Sequence, residues 1–234
     1  MHADISAIAD RFPKLRIAFV VASGLAIPGV APPALADHIA AVERDALFRF
    51  NDLAMPDIPG VAVWRQAYKD FGIKKTSYRC SVERLVRKIV RDGTLARINP
   101  FVDAYNAVSL AHVFPLGADD LDCVEGDLAF RPASDGDTFV ALGDEAAAND
   151  PPKPGEIVYA DAHKVLCRRW NWYQDARSPV TPATRRAVVT IQSLGPGHLD
   201  QAIGDLTALL SAHCGAACRH IVLSPDYPRA ALPL

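Results

Sequence analysis

Few features of the common functional signatures occur in this chain, and each absence narrows its class. Cysteine is sparse: the 234 residues hold five, Cys80, Cys123, Cys167, Cys214 and Cys218, an odd number without regular spacing. Such usage argues against a disulfide framework and predicts a reducing, cytoplasmic setting. The apolar run Ile17–Ile27 is too short to span a bilayer and lacks the positive lead and cleavage pattern of a signal peptide. A soluble chain with no membrane partner is therefore expected. There is no Walker pattern, no GxGxxG after a strand, no GxSxG elbow and no HExxH. No cofactor is implied. The net charge is −2 at pH 7, so whole-molecule electrostatics do not announce a nucleic-acid binder, and DNA is not an expected partner. Internal repeats, low-complexity segments and clear linkers are also missing.

What is present is enough to bury a substantial core, since hydrophobic residues make up 50% of the chain. One domain over 1–234 is expected, with two closely packed lobes, about 1–115 and 116–234, as the other arrangement. After a short lead-in, Leu15–Ala22 predicts a buried strand. A helix follows over Ala34–Leu53, with Leu35, Ile39, Val42, Ala46 and Phe50 on one face and Glu43, Arg44, Asp45 and Arg49 on the other. The next helix runs from about Gly60 to Asp70, and a basic connector, Ile73–Ser81, comes after it. From Leu116 the pattern shifts to short apolar runs, giving candidate strands at 119–124, 127–131, 138–142, 156–160, 164–172 and 186–194. The polar, Pro-rich stretch 143–155 predicts a surface loop. A helix over His198–His213 and a strand over His220–Leu223 close the chain. The sum is a compact α+β protein, helices mostly first and a β-rich second half before the last helix.

The stretch Ser81–Asp122 organises the rest. Val82, Leu85, Val86, Ile89 and Val90 repeat at helical spacing, and the other face carries Glu83 with Arg84, Arg87, Lys88 and Arg91. That basic face is either a solvated surface or a phosphate-binding stripe. A second helix begins with Asn99 as N-cap and Pro100 in the first turn. It is apolar nearly all round yet contains Asp103, Tyr105, Asn106 and Ser109, and polar groups on a buried helix need partners, a ligand among them.

Other candidates are weaker. His213-Cys214 and Cys218-Arg-His220 offer two thiols and two imidazoles, but the spacing is not that of a zinc finger or knuckle, and no metal is expected. His112, His163 and His198 titrate in a useful range without a nucleophile fixed beside them. In LCRRWNW, strand alternation would place Cys167, Arg169 and Asn171 on one face and Arg168, Trp170 and Trp172 on the other. The latter face suits either base stacking or a cation–π packed surface. Asp119, Asp120 and Asp122 form a possible acid–base set or a hydrogen-bonded turn.

Ser81, Leu85, Arg87, Gly93, Ile98-Asn99, Val102-Asp103, Asn106, Pro115-Leu116 and Asp120 follow one another as in a known family. The segment resembles the tRNA-binding and editing domain, the B3/B4 region, of the phenylalanyl-tRNA synthetase β subunit. The likeness covers about Lys74 to Leu194, roughly half the chain, and extends to proteins that carry this domain alone. It implies an α+β fold of mixed or antiparallel sheets with packed helices. It also implies a partner, tRNA or aminoacyl-tRNA, or an amino-acid-like small ligand. The implied activity is hydrolysis of a misacylated ester in trans, an aminoacyl-tRNA deacylase; a non-catalytic ligand- or partner-binding module that keeps the fold is the alternative.

Carried over residue by residue, the resemblance keeps Asn106 and Asp103. Tyr105 replaces a Thr, Gly117 replaces the His of a Pro-Leu-His corner, Thr190 replaces a Glu, and CRRWNW replaces a Gly-rich turn. No catalytic residue is thereby assigned. The substrate-binding set is Asn106, Asp103, Tyr105, Ser109 and Asn99, and the RNA-binding set is Arg84, Arg87, Lys88 and Arg91.

Overall fold

The strand Arg16–Ser23 is apolar on both faces, and both are buried. Alternation sends Ile17, Phe19 and Val21 into one core and Ala18, Val20 and Ala22 into another. A strand covered on both sides reads as a continuous apolar run, which is how it stands in the sequence. The computed structural model describes residues 1–73, 78–143 and 149–234. Lys74 and Lys75 of the basic connector, and the centre of the polar loop, lie outside the described residues.

In chain order the elements are β1 (His2–Asp4), α1 (Ser6–Ala9), β2 (Arg16–Ser23), α2 (Pro33–Phe50), α3 (Pro59–Asp70), α4 (Ser81–Asp92), α5 (Pro100–His112), β3 (Leu116–Asp120), β4 (Leu128–Pro132), β5 (Ile157–Ala160), β6 (Val165–Arg168), β7 (Tyr173–Gln174), β8 (Arg186–Ser193), α6 (Leu199–Cys214), β9 (Ala217–Leu223) and β10 (Arg229–Ala231). A four-stranded antiparallel sheet runs β3-β8-β2-β9. A six-stranded sheet runs β10-β1-β4-β5-β6-β7, with β1 and β4 parallel and its other pairs antiparallel. This is the expected α+β class with mixed and antiparallel sheets. The halves before and after residue 115 interleave, because β2 lies between β8 and β9, and β1 between β10 and β4.

Between the sheets Phe19, Phe130, Tyr159, Leu166 and Val188 pack together with Trp64 of α3 and Val82, Val86 and Ile89 of α4. Phe130 and Tyr159 stack with ring centroids 4.6 Å apart. On the far side of the four-stranded sheet, Leu35 and Ile39 of α2, Phe101, Ala104 and Val108 of α5, and Ala202 and Leu206 of α6 form the second core. Burying each such side chain contributes roughly 1.5–3 kcal/mol for the larger residues, so these two cores set the sheet positions.

The differences from the sequence expectations have local causes. Strand β3 starts at Leu116, and 121–123 is a 3-10 turn, because Asp120 accepts from the Asp122 amide and bends the chain. The candidate strand 138–142 makes only isolated bridges, at Val140 and Ala141. The strand expected over 164–172 stops at Arg168, since Arg169 and Trp170 take left-handed φ values of 46° and 67°. Glu156 holds that turn, accepting from Arg168 Nε at 3.1 Å and from the Arg169 amide at 2.9 Å. The expected face of Arg168, Trp170 and Trp172 therefore does not form. Arg168 and Trp170 are buried, and Trp170 packs edge-on against Phe12 and Trp64. Helix α2 ends at Phe50, and its Glu43, expected on the solvent face, is buried against Arg97. Among the described residues, no helix is long and apolar enough to cross a membrane.

Candidate functional site

A cleft of about 680 Å³ opens where the two sheets meet α4 and α5. Its floor follows from alternation in β8. Ala187, Val189 and Ile191 face the helices, so Val188, Thr190 and Gln192 face the other sheet. In the same way Leu116 and Ala118 of β3 join the helix-side core and turn Asp119 the other way. Gly117 and Thr190 are cross-strand partners, and both line the cleft. A Cβ at Gly117 would meet nothing within 4 Å, so the corner is open space. The opposite wall is Tyr159, Leu166, Cys167, Trp172, Tyr173 and Gln174.

A relay of hydrogen bonds sets the floor. Tyr68 of α3 donates to Asn171 at 2.9 Å, Asn171 donates to Gln192 at 3.0 Å, and Gln192 donates to the Thr190 hydroxyl at 3.3 Å. Thr190 Oγ1 is thus an acceptor in the relay, and its proton is left for a group in the cleft. Beside it Asp119 is 4% exposed, with Ser178 Oγ donating to Oδ1 at 2.7 Å and Gln174 Nε2 at 3.4 Å. Burial pushes the Asp119 carboxyl up to about 7, against those two donors and the nearby Lys164 charge. The hydroxyl of Tyr159 is buried without a hydrogen-bond partner among the described residues, as is that of Ser81 at the start of α4. Burial also raises the Cys167 thiol to about 12, which keeps it protonated and unreactive near neutrality.

The two helices expected to carry the site contribute unequally. From α5, Tyr105 and Asn106 line the cleft, and no side-chain partner for Asn106 occurs among the described residues. The other three residues of the substrate-binding set have structural tasks. Asn99 caps the helix by accepting from the Val102 amide at 3.0 Å and donates to Val180 O at 3.1 Å. Asp103 accepts from the Ile98 amide at 2.9 Å, and Ser109 donates to Phe114 O at 2.6 Å. None of these three lines the cleft.

From α4, Arg84, Arg87, Lys88 and Arg91 all stand along the cleft rim. Each has an internal partner: Arg84 donates to Trp172 O at 2.7 Å, Arg87 pairs with Glu83 at 2.9 Å, Lys88 with Asp92 at 3.0 Å, and Arg91 with Asp92 at 2.6 Å. The helix nevertheless carries four basic residues against the acidic Glu83 and Asp92, which leaves the rim positive.

The acidic triplet separates by task. Asp119 belongs to the cleft, Asp120 accepts from Thr184 at 2.6 Å, and Asp122 pairs with Arg186. His112 pairs with Asp205 at 2.7 Å and His163 with Glu125 at 3.5 Å, both away from the cleft. No group of three or more His, Cys, Asp or Glu side chains able to hold a metal occurs among the described residues. Sequence reasoning missed Tyr159, Asn171 and Gln192. Thr190 and Gln192 had a usable signal, two polar residues two apart on an otherwise apolar strand. Tyr159 had none.

A family model, the B3/4 domain, matches residues 63–215, a span that holds both α4 and α5 and every cleft residue named above. The chain belongs to the B3/4 domain family. Among solved structures it is similar to an N-terminal fragment of the phenylalanyl-tRNA synthetase β subunit from Pyrococcus horikoshii, at 11% identity and a TM-score of 0.47. That similarity covers 94% of this chain and 53% of the fragment, so the chain spans about half the fragment's length. No curated protein matches it. Within this B3/4 domain, Gly117 and Thr190 are the cleft positions at which the resemblance noted above had placed a His and a Glu.

Proposed function

We propose that this B3/4 domain binds the aminoacylated end of an RNA, tRNA above all, with the aminoacyl group in the cleft and the phosphates along α4. The observation that carries this reading is the shared opening: the basic face of α4 borders the same cleft as Tyr105, Asn106, Gly117 and Thr190. Arginine and lysine at a rim neutralise phosphates without reading sequence, and the cleft volume suits an amino acid joined to a terminal nucleoside. The unpartnered amide of Asn106 can bind the ester carbonyl or the α-amino group. Hydrolysis in trans then needs only a water held against that ester, since orientation and oxyanion donors supply most of the acceleration.

Deacylation of mischarged tRNAs, beginning with tyrosyl-tRNA(Phe), tests this. Wild type is expected to release the amino acid above the uncatalysed rate, and Asn106→Ala to lose about 10²–10³-fold of that activity, the range for removing one positioned oxyanion donor. Absence of both turnover and salt-dependent tRNA binding would overturn the reading. One feature favours a second reading, binding without hydrolysis: the facing pair Gly117 and Thr190 offers no acid or base. Salt-dependent tRNA binding with no turnover is the outcome that selects it.

A further inference from the structure

We propose that Asp119 holds the ammonium group of an aminoacyl ligand at the cleft floor, so that the ligand lies amino acid inward and phosphates outward. The inference deepens the RNA-end reading and rests on it. Asp119 Oδ1 is held by Ser178 and Gln174, whereas Oδ2 has no hydrogen-bond partner among the described residues. Nor is any Lys, Arg or His paired with this carboxyl there. The charged groups acting on it are committed elsewhere: Asp175 is bound by Arg177 at 2.7 Å, and Lys164 by Asp161 at 2.6 Å. A buried carboxyl without a cation is costly to ionise, and an entering ammonium removes that cost.

Two further groups line the same cleft, Tyr159 on the wall that faces the floor and Thr190 on the floor itself. The Tyr159 hydroxyl is buried and unpartnered, and the Thr190 hydroxyl already accepts from Gln192. An ammonium has three N–H donors and no acceptor. Asp119 Oδ2 and the Tyr159 oxygen match that donor set, while the Thr190 proton is left for an ester or amide oxygen. The charge on Asp119 also bears on Tyr105, Tyr159 and Cys167, which places it among the cleft walls. The rim, by contrast, is positive through Arg84, Arg87, Lys88 and Arg91. A cleft with a carboxyl at its floor and cations at its mouth admits a ligand with an ammonium head and a phosphate tail in one direction only.

The test uses the full chain and hydrolysis-resistant, 3′-amide-linked tyrosyl- and alanyl-tRNA(Phe), each with a free or an N-acetylated amino group, beside deacylated tRNA(Phe). Acetylation removes the ammonium and leaves the rest. Wild type is expected to bind the free-amine forms about tenfold more tightly than the acetylated ones, the scale of one charge-assisted hydrogen bond. Asp119→Asn keeps the shape and the acceptor for Ser178; it should bind all forms alike, with deacylated tRNA unchanged. Tyr159→Phe should narrow the preference for the free amine by about threefold, the loss of one neutral hydrogen bond. Equal wild-type affinity for free and acetylated forms overturns the role of Asp119 and leaves the RNA reading standing, as does a preference that survives in Asp119→Asn. If no tRNA form binds, the RNA reading fails instead. Tyrosine methyl ester against its N-acetyl derivative then decides on Asp119 alone: an amine preference that Asp119→Asn abolishes supports it, and equal binding overturns it.

Discussion

Glu83 and Asp119 are both buried carboxyls, and the protein surrounds them in opposite ways. Glu83 is 1% exposed and is met by Arg65 at 2.7 Å, Arg87 at 2.9 Å and Arg79 at 3.0 Å. Burial pushes its pKa up, yet the hydrogen bonds and charges of Arg65 and Arg87 outweigh that and hold it below the ordinary value. Among the described residues Asp119 has neutral donors only, so burial wins and its carboxyl rises to about 7. A carboxylate ringed by cations inside the protein serves the fold and has nothing left for a ligand. One held by a serine and an amide, with an oxygen to spare, is available for an incoming cation.

The largest expected effect breaks the first half of that contrast. Glu83→Gln leaves Arg65, Arg79 and Arg87 clustered without their carboxylate, and should destabilise the protein by about 3–5 kcal/mol. Urea denaturation checks this, and a loss under about 1 kcal/mol would mean that solvent already screens the cluster.

Stability against pH sharpens the second half. Because the folded Asp119 carboxyl titrates near 7 and the ordinary value is 3.8, the folded state binds the extra proton between them. The stability it contributes is full below the unfolded value and is lost as pH rises toward 7. Glu83 has the opposite sign: its contribution is present above its unfolded value and is lost as pH falls. Asp119→Asn should therefore remove the decline between pH 4 and 7 and exceed wild type at pH 8 by on the order of 4 kcal/mol. Denaturation midpoints at pH 5 and pH 8 for both proteins measure it, and parallel pH curves would contradict the unpaired state of Asp119.

The smallest effect concerns Tyr159. Its hydroxyl is buried without a partner among the described residues, so Tyr159→Phe should leave stability unchanged or raise it by up to about 1 kcal/mol. A clear loss in thermal denaturation would show that the hydroxyl has a partner in the unliganded protein.

Much of the architecture was legible locally. The Asn99-Pro100 helix start, the amphipathic repeat of α4 and the runs that became β2 and β8 are each set by interactions within a few residues, and they stand where the pattern placed them. Errors came where distant groups decide. The strand expected over 164–172 ends early because Glu156 clamps the Arg168–Arg169 turn, and Glu43 is buried because Arg97 reaches it. At the site, the letters of α5 marked five polar residues without distinguishing caps from ligand-facing groups. Asn99, Asp103 and Ser109 are satisfied by backbone close by, and only Tyr105 and Asn106 reach the cleft.

The α+β class, the order of the long helices and strands and the basic face of α4 follow from the amino acids alone, because helical and strand periods and capping residues act over short spans, whereas the short strands β1, β7 and β10 carried no such signal. Only the tertiary structure decided which polar residues share a cleft. Strand register set Gly117 opposite Thr190, and sheet packing left Asp119 buried with neutral donors and no paired cation, and the Tyr159 hydroxyl buried with no partner, among the described residues. Which groups end up satisfied depends on long-range contacts that no local pattern encodes, and that difference separates Asp119 from Asp120 and Asp122 beside it.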